Sequence, residues 1–175
     1  MASVDVHDLA ARLTKAVTER TAIDPLTDDV TDLDLETGYA VQRVLREQAG
    51  PRVGWKLGVT SRAKQAQVGV SDPVFGFLPG TGALDLGEPL RTGELIQPRA
   101  EPEIALVLGR PLTGPGVTVA TALAAVDYAM AAIEIIDSRY SGFKFTLEDA
   151  VADNNSSGVY VTGPVVRDVA GMDFG

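Results

Sequence analysis

Residues 97–108 read Gln-Pro-Arg-Ala-Glu-Pro-Glu-Ile-Ala-Leu-Val-Leu (QPRAEPEIALVL), a turn that becomes a short apolar strand with two carboxylates two residues apart. Successive strand side chains point to opposite faces, so Glu101 and Glu103 project the same way. Pro102 between them suits the start or edge of a strand, because proline brings no amide donor to a ladder. Beyond it Ile104, Leu106 and Leu108 offer one apolar face, while Ala105 and Val107 continue the face of the glutamates. Two carboxylates entering an apolar face repel each other and lose hydration, so something must compensate. A divalent cation with oxygen ligands, Mg2+ or Mn2+ rather than zinc, meets that need. Taken alone, the pattern equally describes a solvated strand end with two surface glutamates.

The chain around this strand has 175 residues, 45% of them hydrophobic and 22% charged, which places it among globular single domains rather than disordered chains. A net charge of −9 with no basic run argues against nucleic acid or an anionic membrane as a partner. With no cysteine, disulfides and thiolate metal sites are excluded. No signal-peptide core and no membrane-length apolar run are visible, so a cytoplasmic protein is expected.

Taken in order, residues 5–20 carry a helical stripe of Val6, Leu9, Leu13 and Val17, with Asp5 as N-cap. A second helix is expected over 35–49, burying Ala40, Val41, Val44 and Leu45 and stopping at Gly50-Pro51. VGWKLGV (53–59) alternates as a half-buried strand, with Val53, Trp55, Leu57 and Val59 on one face. Lys56 lies on the other face between Gly54 and Gly58, which leaves room for a ligand to approach its stem. A short helix follows from Ser61 to Gly69, and VSDPVFGFLPGTG (70–82) reads as a Pro/Gly-rich loop. A further helix is expected to start near Thr118 and run through TVATALAAVDYAMAA. Glu134 then sits among Ile133, Ile135 and Ile136, where a buried carboxylate needs a partner. Asp137 and Arg139 can pair locally. GVYVTGPVV reads as a last strand.

Five stretches in this order, GWKLGVTSRAKQ, GVSDPVFGFL, PRAEPEIALVL, IEIIDSRYSGFKF and VADNNSSGVYVTG, resemble the hydratase/decarboxylase branch of the fumarylacetoacetate hydrolase superfamily. The resemblance implies an α+β fold, with an N-terminal helical region (1–50) followed by a mixed β-sheet or β-roll catalytic domain (51–175). Family chains are longer, so that domain is expected to be incomplete at its C-terminus. By position, Glu101, Glu103 and Glu134 match the family's carboxylate triad for Mg2+ or Mn2+, and Lys56 its active-site lysine. Leu57, Val74, Phe75, Asn155 and Ser157 fall at substrate-binding positions, with Asn155 standing where alanine is more usual.

The resemblance further implies a small 2-oxo dienoic acid substrate from meta-cleavage of aromatic compounds. It also implies a homo-oligomer, and association with the hydratase of the same pathway. Hydratases carry an acidic residue at the position of Val74, where it can position water. A valine there favours metal-dependent loss of CO2 from 2-oxo-3-hexenedioate, giving 2-hydroxypenta-2,4-dienoate. The alternatives are hydration of 2-hydroxypenta-2,4-dienoate and an inactive metal-binding fragment.

Overall fold

The computed structural model describes residues 4–166 together with residues 169 and 172. Its N-terminal third is helical. Helix α1 (Val6–Glu19) begins where the Asp5 carboxylate accepts the amide of His7 at 2.9 Å. It buries Leu9, Ala10, Leu13 and Ala16. Val17, expected on that stripe, is instead exposed, and Ala16 takes the inward position. A short α2 (Leu26–Asp29) leads to α3 (Leu35–Gln48), which is capped by Asp34 and buries Val41 and Val44. Ala40 and Leu45 are only half-buried. Helix α3 packs against both α1 and a later helix, α6 (Leu147–Ala152). The Asp149 carboxylate of α6 is fully buried and accepts the amide (3.1 Å) and hydroxyl (2.6 Å) of Thr27. The amide and hydroxyl of Thr146 donate to the same carboxylate, so both buried oxygens are hydrogen-bonded.

The rest is built on β-sheet. Strand β1 (Arg52–Gly58) is followed by a short helix, α4 (Arg62–Val68), capped by Ser61 and closed by Gly69. It pairs antiparallel with β2 (Val74–Pro79), which corrects the expected loop over 70–82. Proline and glycine enter this two-stranded sheet without loss because Pro79 closes the strand and Gly76 lies where the chains approach closely. The alternation of β1 is as expected, but its inner face carries Lys56, whereas Val53 is 63% and Leu57 60% exposed.

Strands β3 (Arg99–Leu108), β4 (Val126–Ile136) and β5 (Ser157–Val166) form a second antiparallel sheet in that order. Pro102 therefore sits on an edge strand, where its missing amide donor does least harm. The helix expected from Thr118 does start there as α5 (Val119–Ala125), with a Thr118–Thr121 capping box. It stops at Ala125, and residues 126–136 form the central strand instead. Alanine favours helix locally, but ladders on both edges of β4 override that preference. The Ile104, Leu106 and Leu108 face of β3 is exposed. No helix among the described residues is long and apolar enough to cross a membrane.

Candidate metal centre and its lysine

The register of the three-stranded sheet builds an acidic cluster. Glu101 of β3 lies directly across from Glu134 of β4, and Glu103 follows two residues along the same face. Each offers a carboxylate oxygen, and these oxygens all lie within 4.8 Å of one another. Like charges facing each other across a ladder destabilise a sheet, and partial burial sharpens the repulsion. The Glu103 carboxyl is accordingly pushed above its ordinary range, first by desolvation and then by Glu134 and Glu101.

Partial compensation comes from β1. The Lys56 ammonium lies 2.8 Å from Glu134 Oε1, with the two side chains only 9% and 7% exposed. It donates a hydrogen bond to the Asn155 carbonyl at 2.8 Å. Its approach to Glu134 is a charge contact only, since Oε1 is buried and has no hydrogen bond. One ammonium thus faces three carboxylates. Hard oxygen donors in excess negative charge fit a divalent cation of the Mg2+ type.

The anchor for Lys56 is an unusual turn. Asn154, Asn155 and Ser156 all adopt left-handed backbone, with φ of 52°, 50° and 57°. L-residues enter that region at a cost of about 1–2 kcal/mol each, so the surroundings must hold them there. The Asn154 side chain does so by pairing with β2 like a short strand. The Phe77 amide donates to its Oδ1 at 2.8 Å, and its Nδ2 donates to the Phe77 carbonyl at 2.9 Å. Gly76, opposite Lys56 in the ladder, permits this approach. A Cβ there would lie 2.8 Å from Asn154 Oδ1, 2.9 Å from the Asn154 carbonyl and 3.0 Å from Lys56 Cγ. Gly76→Ala is therefore expected to push the turn off β2, destabilising the fold by about 1–3 kcal/mol. Urea unfolding checks this, and an unchanged midpoint would show that the turn gives way freely.

Behind the turn lies a second buried pair. Arg139 donates through Nε to the Asp153 carboxylate and through Nη2 to the Asp153 carbonyl. Its Nη1 reaches the carbonyls of Asp137 at 2.7 Å and Ser157 at 2.8 Å. The expected Asp137–Arg139 carboxylate pair is not formed. The Asp137 carboxylate instead accepts the amides of Ile96 (3.0 Å) and Gln97 (2.7 Å), holding the chain that enters β3. Burial pushes the Asp153 carboxyl up to about 6, against the pull of Arg139.

The structure brings Lys56, Glu101, Glu103, Glu134 and the Asn155 carbonyl together. Val74 is buried on the Lys56 face of the sheet, opposite Gly58. Leu57 and Phe75 direct their side chains to the other face. Phe75 stacks on Tyr39 at 4.6 Å and meets Trp55 edge-on at 5.3 Å. Both side-chain polar atoms of Asn155 are buried without partners, and the described role of Ser157 is its carbonyl bond to Arg139. Sequence reasoning missed Asn154, Gly76 and Asp153. The signal for the first was the Asn-Asn pair, since asparagine enters left-handed backbone more readily than most residues.

No protein-family model matches the chain. It is 39% identical over 177 residues to a 4-oxalocrotonate decarboxylase of Pseudomonas sp. (strain CF600), a match covering 99% of this chain and 62% of that protein. It is 41% identical over 163 residues to a 2-hydroxypent-2,4-dienoate hydratase of Pseudomonas putida, covering 90% of this chain and 73% of the relative. The solved 4-oxalocrotonate decarboxylase from Pseudomonas putida G7, complexed with magnesium and adipate, matches with a TM-score of 0.89 at 35% identity. That match covers 94% of this chain and 66% of the solved one. The chain spans a little under two thirds of the length of both decarboxylases. With the α+β fold in common and such identity across nearly its whole length, this chain belongs to the hydratase/decarboxylase branch of the fumarylacetoacetate hydrolase superfamily.

Proposed function

We propose that the chain carries the catalytic centre of a lyase that decarboxylates 2-oxo-3-hexenedioate (4-oxalocrotonate) to 2-hydroxypenta-2,4-dienoate and CO2. The observation that carries this reading is the Glu101–Glu103–Glu134 cluster closed on Lys56. Mg2+ or Mn2+ held by the three glutamates would supply a Lewis acid for the 2-oxo acid end of the substrate. In the reaction the bond to the distal carboxylate breaks. Its electron pair shifts through the adjacent double bond to the 2-oxo oxygen, and a proton there completes the product. Lys56, held by the Asn155 carbonyl, is the residue placed to stabilise that developing charge and to hold the proton. Val74, apolar and buried on the same face, offers nothing to activate water and supports decarboxylation over hydration.

The hydratase reading keeps a specific support, since the hydratase relative matches at the same level of identity as the decarboxylase. Assembly as a homo-oligomer, with the pathway hydratase as a further partner, belongs to the proposal. The exposed apolar residues of β1 and β3 support it. The test is a product assay with 2-oxo-3-hexenedioate and Mg2+, with and without chelator. Chelator-sensitive CO2 release is expected. Hydration of 2-hydroxypenta-2,4-dienoate with no CO2 release would transfer the reading to the hydratase, and turnover of neither would overturn lyase activity for this chain.

A further inference from the structure

The carboxylate cluster already has an occupant of its own. Lys56 and Glu134 are nearly inaccessible to solvent, and the ammonium stands 2.8 Å from an oxygen that bonds to nothing else. A residue meant only to greet a substrate would have no reason to be drawn so close to one ligand of a metal centre. Three carboxylates with oxygens within 4.8 Å, the Glu134 one buried, repel one another, and the nearby ammonium offsets that repulsion. Its hydrogen bond to the Asn155 carbonyl also holds the ammonium beside the cluster.

We propose that Lys56 is an internal competitor for the cation: its ammonium and a divalent metal ion share Glu134, so Lys56 sets how tightly the chain holds the metal. This inference rests on the metal-centre reading above and adds to it a role that catalysis alone does not require. With all groups ionised, three glutamates and Lys56 carry two negative charges between them, which one divalent cation neutralises. Without the lysine the same cluster carries three. The two states of the site differ accordingly. In the metal-free chain Lys56 is the counter-ion that keeps the sheet face together. In the loaded chain its charge would repel the cation and weaken its hold.

The consequence has an unusual sign, because removing a residue of the centre should strengthen metal binding. Calorimetric titration of the full chain with Mg2+ is expected to show Lys56→Met binding at least about tenfold tighter than wild type, the gain expected from removing a nearby positive charge. Lys56→Arg, which keeps the charge, is expected to stay close to the wild-type affinity. In chelator, Lys56→Met is expected to melt below wild type, and saturating Mg2+ should close most of that gap. Equal or weaker Mg2+ binding by Lys56→Met, with wild type still binding, overturns the inference and leaves the metal centre standing. If wild type binds no divalent cation, the metal-centre reading fails and this inference falls with it. Should Lys56→Met not fold without metal, refolding it in Mg2+ decides the matter. Recovery of the fold supports the counter-ion role, and failure to recover it at saturating Mg2+ overturns it.

Discussion

Glu103→Gln is expected to weaken Mg2+ binding by at least about 100-fold and to abolish cation-dependent turnover. The substitution keeps the shape of the side chain and one carbonyl oxygen, so it removes charge and little else. Glu103 stands two residues from Glu101 on one face of β3 and across the ladder from the β4 segment that carries Glu134. Its carboxyl is already the strained member of the group, raised by burial and by both neighbours. The same repulsion gives the variant a second signature. With one negative charge fewer, its melting temperature in chelator should equal or exceed that of wild type. Tight Mg2+ binding by Glu103→Gln would remove it from the ligand set. A large fall in metal-free stability would mean the carboxylate serves the fold rather than the cation.

Arg139→Met is expected to have the largest effect on stability, a loss of about 3–5 kcal/mol, because it strands a buried charge. Asp153 is completely buried, and Arg139 is its main counter-charge. The same guanidinium satisfies the carbonyls of Asp153 and Ser157, which flank the left-handed turn, and that of Asp137 after β4. Methionine fills much of the space and bonds to none of these. Adding Asp153→Asn to Arg139→Met should recover part of the loss, since the stranded charge is then gone. Urea unfolding of the two variants checks both statements. A loss under about 1 kcal/mol for Arg139→Met would show that water replaces the guanidinium.

Much of this arrangement could be read from the chain, and the failures have physical causes. Helices α1 and α3 declared themselves because their caps and 3.6-residue stripes agree. The strand carrying Glu101 and Glu103 was visible because its alternation continues past Pro102. Glu134 stood out as an anomaly in an isoleucine run. Its position opposite Glu101 was not readable, because register is a property of two strands and belongs to neither alone. Strand β4 was hidden by its alanines, whose helical preference holds only until neighbouring strands claim the backbone. Strand β2 was hidden by Pro73, Gly76 and Pro79, which mark turns in isolation. In β1 the period was legible but the face was not. Burying the lysine and exposing Val53 and Leu57 inverts the usual rule, and only the distant Glu134 and Asn155 explain it.

The left-handed turn also offers a different account of one odd residue. Asn155 stands where the family resemblance expects alanine, and a polar side chain near a substrate site invites explanation by contacts. Among the described residues its amide makes none, for both polar atoms are buried and unpaired. Its backbone is mirror-image in sense, and among L-residues with side chains asparagine is one of the few that tolerate this handedness. Asparagine thus suits the handedness of the main chain at this position.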